Sequence, residues 1–441
     1  YLAMKSAMKP AHLERALFSL LRMGLLSLMA QTASAGIDTP QGSNDPLLPL
    51  ASEWATALRD SPAVRAAVSH VLAEQSVQRQ LAIGPQEWTA TASAARRAQS
   101  QPTSEKTAEW ELGLERALRL PGKREAYERA GLRRVEQAEL VLRKVWMEQS
   151  RLLLERRASW LRERESERVW HTQVTLLRQQ LTAISKRQAL GDAARIEREL
   201  AQAAVAQVLA QWAASGGREQ AARETLLRLF PSLVLQPDAA LPAPAPLTGT
   251  DSEWIAAQLR HNPELAMAQG ETKVALATLA VESAEVRPDP TVGVRVGRAR
   301  SGAEQTLGLV LSMPFGGDYR AAGVSASRAR AEAASWQLAD AQRRAEVEAN
   351  QRVRDMQMAF AAWQSQSEAA NRLAQAADSL ARGYQLGEGS LGDTLQARRL
   401  ANEQQLATAA SAVDVWTTRH RLQLEAGVLW PLAASVTERG E

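Results

Sequence analysis

Tyr384-Gln-Leu-Gly-Glu-Gly-Ser-Leu-Gly-Asp-Thr-Leu-Gln-Ala-Arg398 interrupts a very long Ala-, Arg-, Gln- and Glu-rich pattern with helical spacing. Gly and polar positions break the pattern, and it resumes with Leu395 and Ala397. Gly tolerates the positive φ that a helix end needs, so the stretch reads as the tip of a helical hairpin. A second stretch, Gln188-Ala-Leu-Gly-Asp-Ala-Ala-Arg-Ile-Glu-Arg-Glu-Leu-Ala-Gln202, aligns with it without a gap. Leu190-Gly191-Asp192 answers Leu386-Gly387-Glu388, and Ala201 answers Ala397. Two tips roughly 200 residues apart make the chain an internal duplication.

Working outward, each tip ends a helical pattern of about 65 residues, roughly 100 Å at the helical rise. The return helices run to about Phe230, where Pro231 stops the first, and to Trp430-Pro431. Ahead of each long helix the period changes from helical to two. Trp88, Ala90, Ala92 and Ala94 alternate with Thr89, Thr91 and Ser93, and Trp110, Leu112 and Leu114 alternate with Glu111, Gly113 and Glu115. In the second half Val292, Val294 and Val296 alternate with Gly293, Arg295 and Gly297, and Leu307, Leu309, Leu311 and Met313 alternate with Gly308, Val310 and Ser312. This is strand chemistry. The domain reading is therefore repeat 1 over 51–235, with strands at about 87–97 and 108–118 and a tip at about 188–196. A stiff Pro-rich linker fills 236–250. Repeat 2 covers 251–431, with strands at about 291–298 and 305–313 and a tip at about 384–393, before a tail at 432–441.

Strands of about ten residues with one apolar face are long enough to cross a bilayer when tilted. A hairpin packed on a soluble core is the other reading. Trp88 and Trp110 divide the same way, between residues at the bilayer edge and core packing. Two or four strands cannot satisfy their edges in lipid, so the membrane reading requires strands shared among chains, and a trimer supplies twelve. The long Ala-rich helices need side neighbours along their whole length.

Leu17 to Met29 is an apolar run preceded by Lys9, His12 and Arg15 and followed by Ala33-Ser34-Ala35, which predicts a secretory signal over 1–35 and a linker over 36–50. A short buried amphipathic helix is the alternative. The 441 residues contain no Cys, so disulfides, thiolate metal sites and Cys catalysis are excluded. The formal net charge of +4 comes from Lys/Arg interleaved with Asp/Glu, a solvated helix face rather than a nucleic-acid surface. The five His are scattered without ligand spacing, so no metal site is expected. Gly387-x-Gly389-x-x-Gly392 matches a dinucleotide fingerprint in letters only, because a helical pattern precedes it where a strand is required. No nucleophile–base arrangement is legible, so no enzyme and no cofactor are expected.

The duplicated order, with Leu-Gly-Asp-x-x-x-Ile-Glu (190–197), the 384–398 tip motif and Met-Pro-Phe-Gly-Gly (313–317), resembles the TolC-like outer membrane factors, the outer membrane efflux protein family. Arg-Pro-Asp-Pro-Thr-Val-Gly-Val-Arg (287–295) resembles its CzcC-type heavy-metal efflux branch. The resemblance implies a mainly α fold with a small β part: a duplicated unit of long antiparallel helical hairpin plus β-hairpin. Three copies would form a 12-stranded outer-membrane β-barrel continuous with a 12-helix periplasmic α-barrel. It implies a homotrimer in outer-membrane lipid that meets a periplasmic adaptor and an inner-membrane RND pump, with divalent heavy-metal cations as cargo. The positions matching the adaptor-docking tips are Leu190, Gly191, Asp192, Leu386, Gly387, Glu388 and Ser390, and the periplasmic gate position falls on Asp393. A threefold ring of Asp393 and a solvated acid at a helix N-terminus are the two readings of that residue. Two competing readings remain: a periplasmic coiled-coil adaptor, which normally carries one helical hairpin rather than two, and a TolC-like channel for drugs or secreted proteins.

Overall fold

The computed structural model describes residues 45–99 and 105–432. The expected signal segment, the linker ahead of Asp45 and the tail beyond 432 lie outside them. In chain order the elements are α1 (Ala51–Arg59), α2 (Pro62–Ile83), β1 (Trp88–Gln99), β2 (Glu105–Ala117), α3 (Lys123–Ala189) and α4 (Arg195–Leu229). The second half repeats them as α5 (Asp251–His261), α6 (Pro263–Glu285), β3 (Thr291–Ala299), β4 (Glu304–Ser312), α7 (Asp318–Leu386) and α8 (Leu391–Glu425). The long helices have 67 and 69 residues and their return partners 35 each. No helix among the described residues is long and apolar enough to cross a membrane.

Packing runs in one order along the molecule. Near the tips it is α4–α3–α8–α7, and nearer the sheet it is α2–α3–α6–α7. The described residues thus form a strip whose two flanks, α4 with α2 and α7, have no neighbour among the described residues. The main core lies where the return helices, the segment around Leu47 to Leu58 and the Pro-rich linker meet. There Trp146, Trp160, Phe230, Trp416 and Trp430 are buried with Leu47 and Leu58. The linker is anchored by its carbonyls, since Arg419 donates to Ala245 and Pro246 at 2.6 and 2.7 Å and Arg164 to Gln236 at 3.3 Å.

Two boundaries differ from expectation. The last helix ends at Glu425, not at Trp430. Gly427 takes φ +73, and the Gly427 and Val428 amides close back on Leu424 and Gln423, so the chain turns and drives Trp430 into the core. There the Trp430 carbonyl accepts from Trp146 Nε1 at 3.0 Å. The second boundary is β2, which starts at Glu105, earlier than the apolar alternation. The backbone ladder continues through Arg97↔Thr107 after the side-chain pattern has stopped.

All strands form one antiparallel sheet in the order β1-β2-β3-β4, leaving β1 and β4 as free edges. The register sets apolar residues in rows: Ala90–Leu114–Val294–Leu309 and Ala92–Leu112–Val296–Leu307. The opposite face carries Thr91–Gly113–Arg295–Gly308 and Ser93–Glu111–Gly297–Thr306, with Arg295 3.7 Å from Glu111. Glycine is required on that face at Gly293, where an added Cβ would meet the Leu114 carbonyl at 2.8 Å. Among the described residues neither face packs on a core, and Leu309 is 89% exposed.

A buried ionic knot ties the two repeats at the sheet's root. Lys123 Nζ lies 2.9 Å from both Glu285 and Asp289, and Asp289 also accepts from the Leu120 amide at 3.1 Å. Removing the cation strands two partly buried carboxylates. Lys123→Met is therefore expected to cost about 2–3 kcal/mol, read as a lowered denaturation midpoint. Restoration by Lys123→Arg would separate this charge effect from lost packing.

A second buried pair fastens the segment that leads into α1. Asp45 accepts from Trp416 Nε1 at 2.7 Å and from the Leu47 amide at 2.8 Å, and it faces His420 Nε2 at 3.3 Å. Burial holds His420 below the ordinary imidazole range, opposed by Asp45 and by the Trp416 carbonyl. A depressed folded value means the unfolded chain binds the proton more readily, so stability is present above about pH 6.5 and is lost as pH falls below it. Thermal unfolding between pH 5 and 7.5 is expected to show this slope, and His420→Gln is expected to flatten it.

Candidate functional site

The two hairpin tips are conformational copies. At the first, Gly191 takes φ +86, its amide donates to Gln188 at 3.1 Å, and the Asp192 amide reaches back to Arg187 at 2.9 Å. At the second, Gly387 takes φ +85, its amide donates to Tyr384 at 3.2 Å, and the Glu388 amide reaches Gly383 at 2.9 Å. Both are the paired back-bonds of a left-handed helix C-cap, which satisfy carbonyls the helix end leaves open. The gapless alignment of Leu190-Gly191-Asp192 with Leu386-Gly387-Glu388 is thus matched bond for bond. Leu190, Gly191, Asp192, Leu386, Gly387, Glu388 and Ser390 are all exposed around these turns.

The restarts differ. Ala194 gives α4 no side-chain cap. Ser390 caps α8: its Oγ accepts from the Asp393 amide at 3.0 Å and donates to Asp393 Oδ2 at 2.7 Å. Asp393 is exposed in the first helical turn, where the helix dipole favours its charge.

Beneath the turns lies a contact the sequence reading did not single out. Tyr384, Leu391, Ile184 and Ala201 form a small buried cluster that joins one hairpin to the other. The Tyr384 hydroxyl donates to Glu197 Oε2 at 2.7 Å, and the Arg187 guanidinium stands over the Tyr384 ring at 5.1 Å. Burial and the Glu197 acceptor push the Tyr384 hydroxyl up to about 12, so it stays a donor at any physiological pH. The available signal was that Tyr384 and Glu197 both sit inside the tip motifs.

At the other end, Trp88 and Trp110 lie on the sheet's apolar face and are 61% and 42% exposed, so neither packs into a core of this chain. Trp88 pairs with Arg116 and Trp110 with Ala94. That separates the two indoles by ~20 Å along the strands. Between them the rows are wholly apolar, whereas the row of Trp110 also holds Arg298 and Gln305. Arg295, Arg298 and Arg300 do not converge: they fall on the polar face, the apolar face's rim and the β3–β4 turn respectively. Among the described residues no group of His, Asp or Glu is arranged to hold a metal ion.

The fold is similar to solved outer-membrane structures. The outer membrane protein VceC from Vibrio cholerae superposes with a TM-score of 0.66 at 20% identity, over 85% of this chain and 94% of that one. The Campylobacter jejuni CmeC outer membrane channel gives 0.71 at 14% identity, over 99% and 96%. The open state of the Neisseria gonorrhoeae MtrE outer membrane channel gives 0.53 at 17% identity, over 85% and 88%. No protein-family model matches the sequence, and no curated protein matches it. Likeness at these identities shows the fold: a small antiparallel sheet joined to long helical hairpins.

Proposed function

We propose that three copies close into an outer-membrane channel, a 12-stranded barrel continuous with a 12-helix tunnel that extends into the periplasm. The observation that carries this is the sheet. Its apolar face is bare, its polar face holds charge and glycine, and both of its edges are open. Unpaired strand edges are not tolerated in lipid, and a closed ring removes them. The helical strips then enclose the space below. The protein is a passive exit duct, not an enzyme. It works in a tripartite efflux system with a periplasmic adaptor and an inner-membrane RND pump.

In this reading the adaptor docks at Leu190, Gly191, Asp192, Leu386, Gly387, Glu388 and Ser390. Asp393 from three copies forms the periplasmic gate: three like charges near one axis attract cations and repel one another. The Tyr384–Glu197 bond holds the two hairpins of one copy together beside that gate. Trp88 and Trp110 border the hydrocarbon layer. Divalent heavy-metal cations are the proposed cargo, on the sequence resemblance alone.

The test is conductance. Purified in detergent and added to a planar bilayer, the protein is expected to form trimers that open as discrete ion-conducting steps. A compact, detergent-free monomer without conductance would end the channel reading. Gene deletion resolves the cargo: sensitivity to divalent metals supports it, and sensitivity confined to drugs and bile salts refutes it.

A further inference from the structure

The two bare flanks of the strip are unlike each other, and the difference is systematic. On α7 the side turned away from the buried Ala345, Ala349 and Val353 exposes Trp336, Val347 and Met358, at 66%, 65% and 61%. These residues recur every eleven positions, which is three helical turns with little drift, so they stand as three large apolar knobs on one straight ridge, with the exposed Arg343 and Arg354 between them. On α4 the side turned away from α3 exposes Ala203, Ala206, Ala210, Ala214, Gly217 and Ala221, a groove of small residues at three- and four-residue spacing. Gly216 and Gly217 are unexplained within the chain: an added Cβ would meet nothing within 4 Å at either. Mid-helix glycine costs about 1 kcal/mol against alanine, so Gly217, which lies in this stripe, calls for a close approach from a second copy.

The heights of ridge and groove agree. The Tyr384–Glu197 bond sets the ends of α7 and α4 level. At the helical rise Met358 then stands ~42 Å above the tip and Ala221 ~39 Å. Ser61 Oγ, 3.0 Å from Gln149, fixes the start of α2 against α3. That places the exposed Ala73 of α2 at ~78 Å, beside Trp336 at ~75 Å. Charge agrees as well: Arg354 at ~48 Å and Glu224 at ~44 Å are exposed on these two flanks. The flanks are also continuous with the open sheet edges, because α2 leads into β1 and β4 leads into α7.

We infer that the ridge of α7 seats in the small-residue groove of α4 and α2 of a second copy of this chain, Met358 against Ala221 and Trp336 against Ala73. The contact is heterologous, ridge to groove. Ridge on ridge would stack Trp336 and Met358 on their own kind, and groove on groove would leave a void. A heterologous contact closes into a ring rather than stopping at a dimer. The inference rests on the channel reading for its axis, parallel to the helices, and adds to it the register between copies.

The chain's lack of cysteine makes the test direct. Ala221→Cys and Met358→Cys in one chain, treated with a short bismaleimide in native membranes, are expected to give covalent dimers and trimers. Either single variant, and the height-mismatched pair Ala203→Cys with Met358→Cys, is expected to stay monomeric on a denaturing gel. Linking by Ala221→Cys alone, or by the mismatched pair and not the matched one, overturns the inference. Light scattering in detergent separates the two levels. A trimer without matched-pair linking refutes the register and spares the channel, whereas a monomer refutes the channel itself. As a second probe, Gly217→Leu is expected to cut the trimer fraction at least tenfold while helix content by circular dichroism is unchanged or higher. Full assembly of Gly217→Leu would contradict a close backbone approach.

Discussion

Leu309→Arg is expected to abolish assembly in the outer membrane, while Gly308→Arg, one residue away, is expected to be tolerated. The two positions sit on opposite faces of β4. Leu309 falls in the apolar row Ala90–Leu114–Val294–Leu309, and Gly308 faces the side shared by Arg295 and Thr91. An Arg on the lipid face near the bilayer midplane costs about 2–4 kcal/mol, and a threefold ring repeats it to about 6–12 kcal/mol per assembly. At Gly308 nothing lies within 4 Å of an added Cβ, so a side chain on that face, the lumen side of the proposed barrel, has room. The measurement is the amount of trimer recovered from outer membranes, expected to fall more than 100-fold for Leu309→Arg. Equal losses for both variants would mean that the sheet is a soluble one and that face does not matter.

What the sequence disclosed and what it hid divide along a physical line. Local rules were legible. A Gly after a helical run marks a left-handed cap, and Gly191 and Gly387 are such caps. Period two marks strands, and the apolar rows follow from it once the register is fixed. The strand pairing β2–β3, which merges both repeats into one sheet, depends on a contact between halves and could not be read from either. α8 ends short of Trp430 because Gly427 forms a third cap of the same kind, and Trp430, apolar and at helical spacing, fills a core instead. The polar anchors were invisible for a plainer reason. Tyr384 and Glu197 are 187 positions apart and Trp416 and Asp45 are 371 apart, so no spacing rule connects them. For Asp393, the chain shows the capped first turn beside Ser390, and the gate proposed for it is a property of three copies.

Gly387→Pro is expected to abolish export while leaving the assembled trimer intact. Proline fixes φ near −65° and has no amide hydrogen. Gly387 stands at φ +85, and its amide closes the turn onto the Tyr384 carbonyl. The substitution therefore breaks both features of the cap and re-aims Leu386, Glu388 and Ser390 together. It also pulls on Tyr384, the residue that ties this hairpin to Glu197 of the other. The sheet and the ridge of α7 lie tens of ångströms away along a continuous helix, so their packing is untouched. Gly387→Asn, which tolerates the left-handed region, is expected to retain most export, and Gly191→Pro to fail as Gly387→Pro does, because the first tip has the same bonds. Glu388→Lys keeps the backbone and changes only charge, so its loss of export would assign the effect to docking rather than to the turn. The readouts are survival of the producing cells in the exported compound and capture of the adaptor by the purified trimer. Wild-type survival with Gly387→Pro would remove the tips from the mechanism, since no other proposed contact with a partner depends on that backbone.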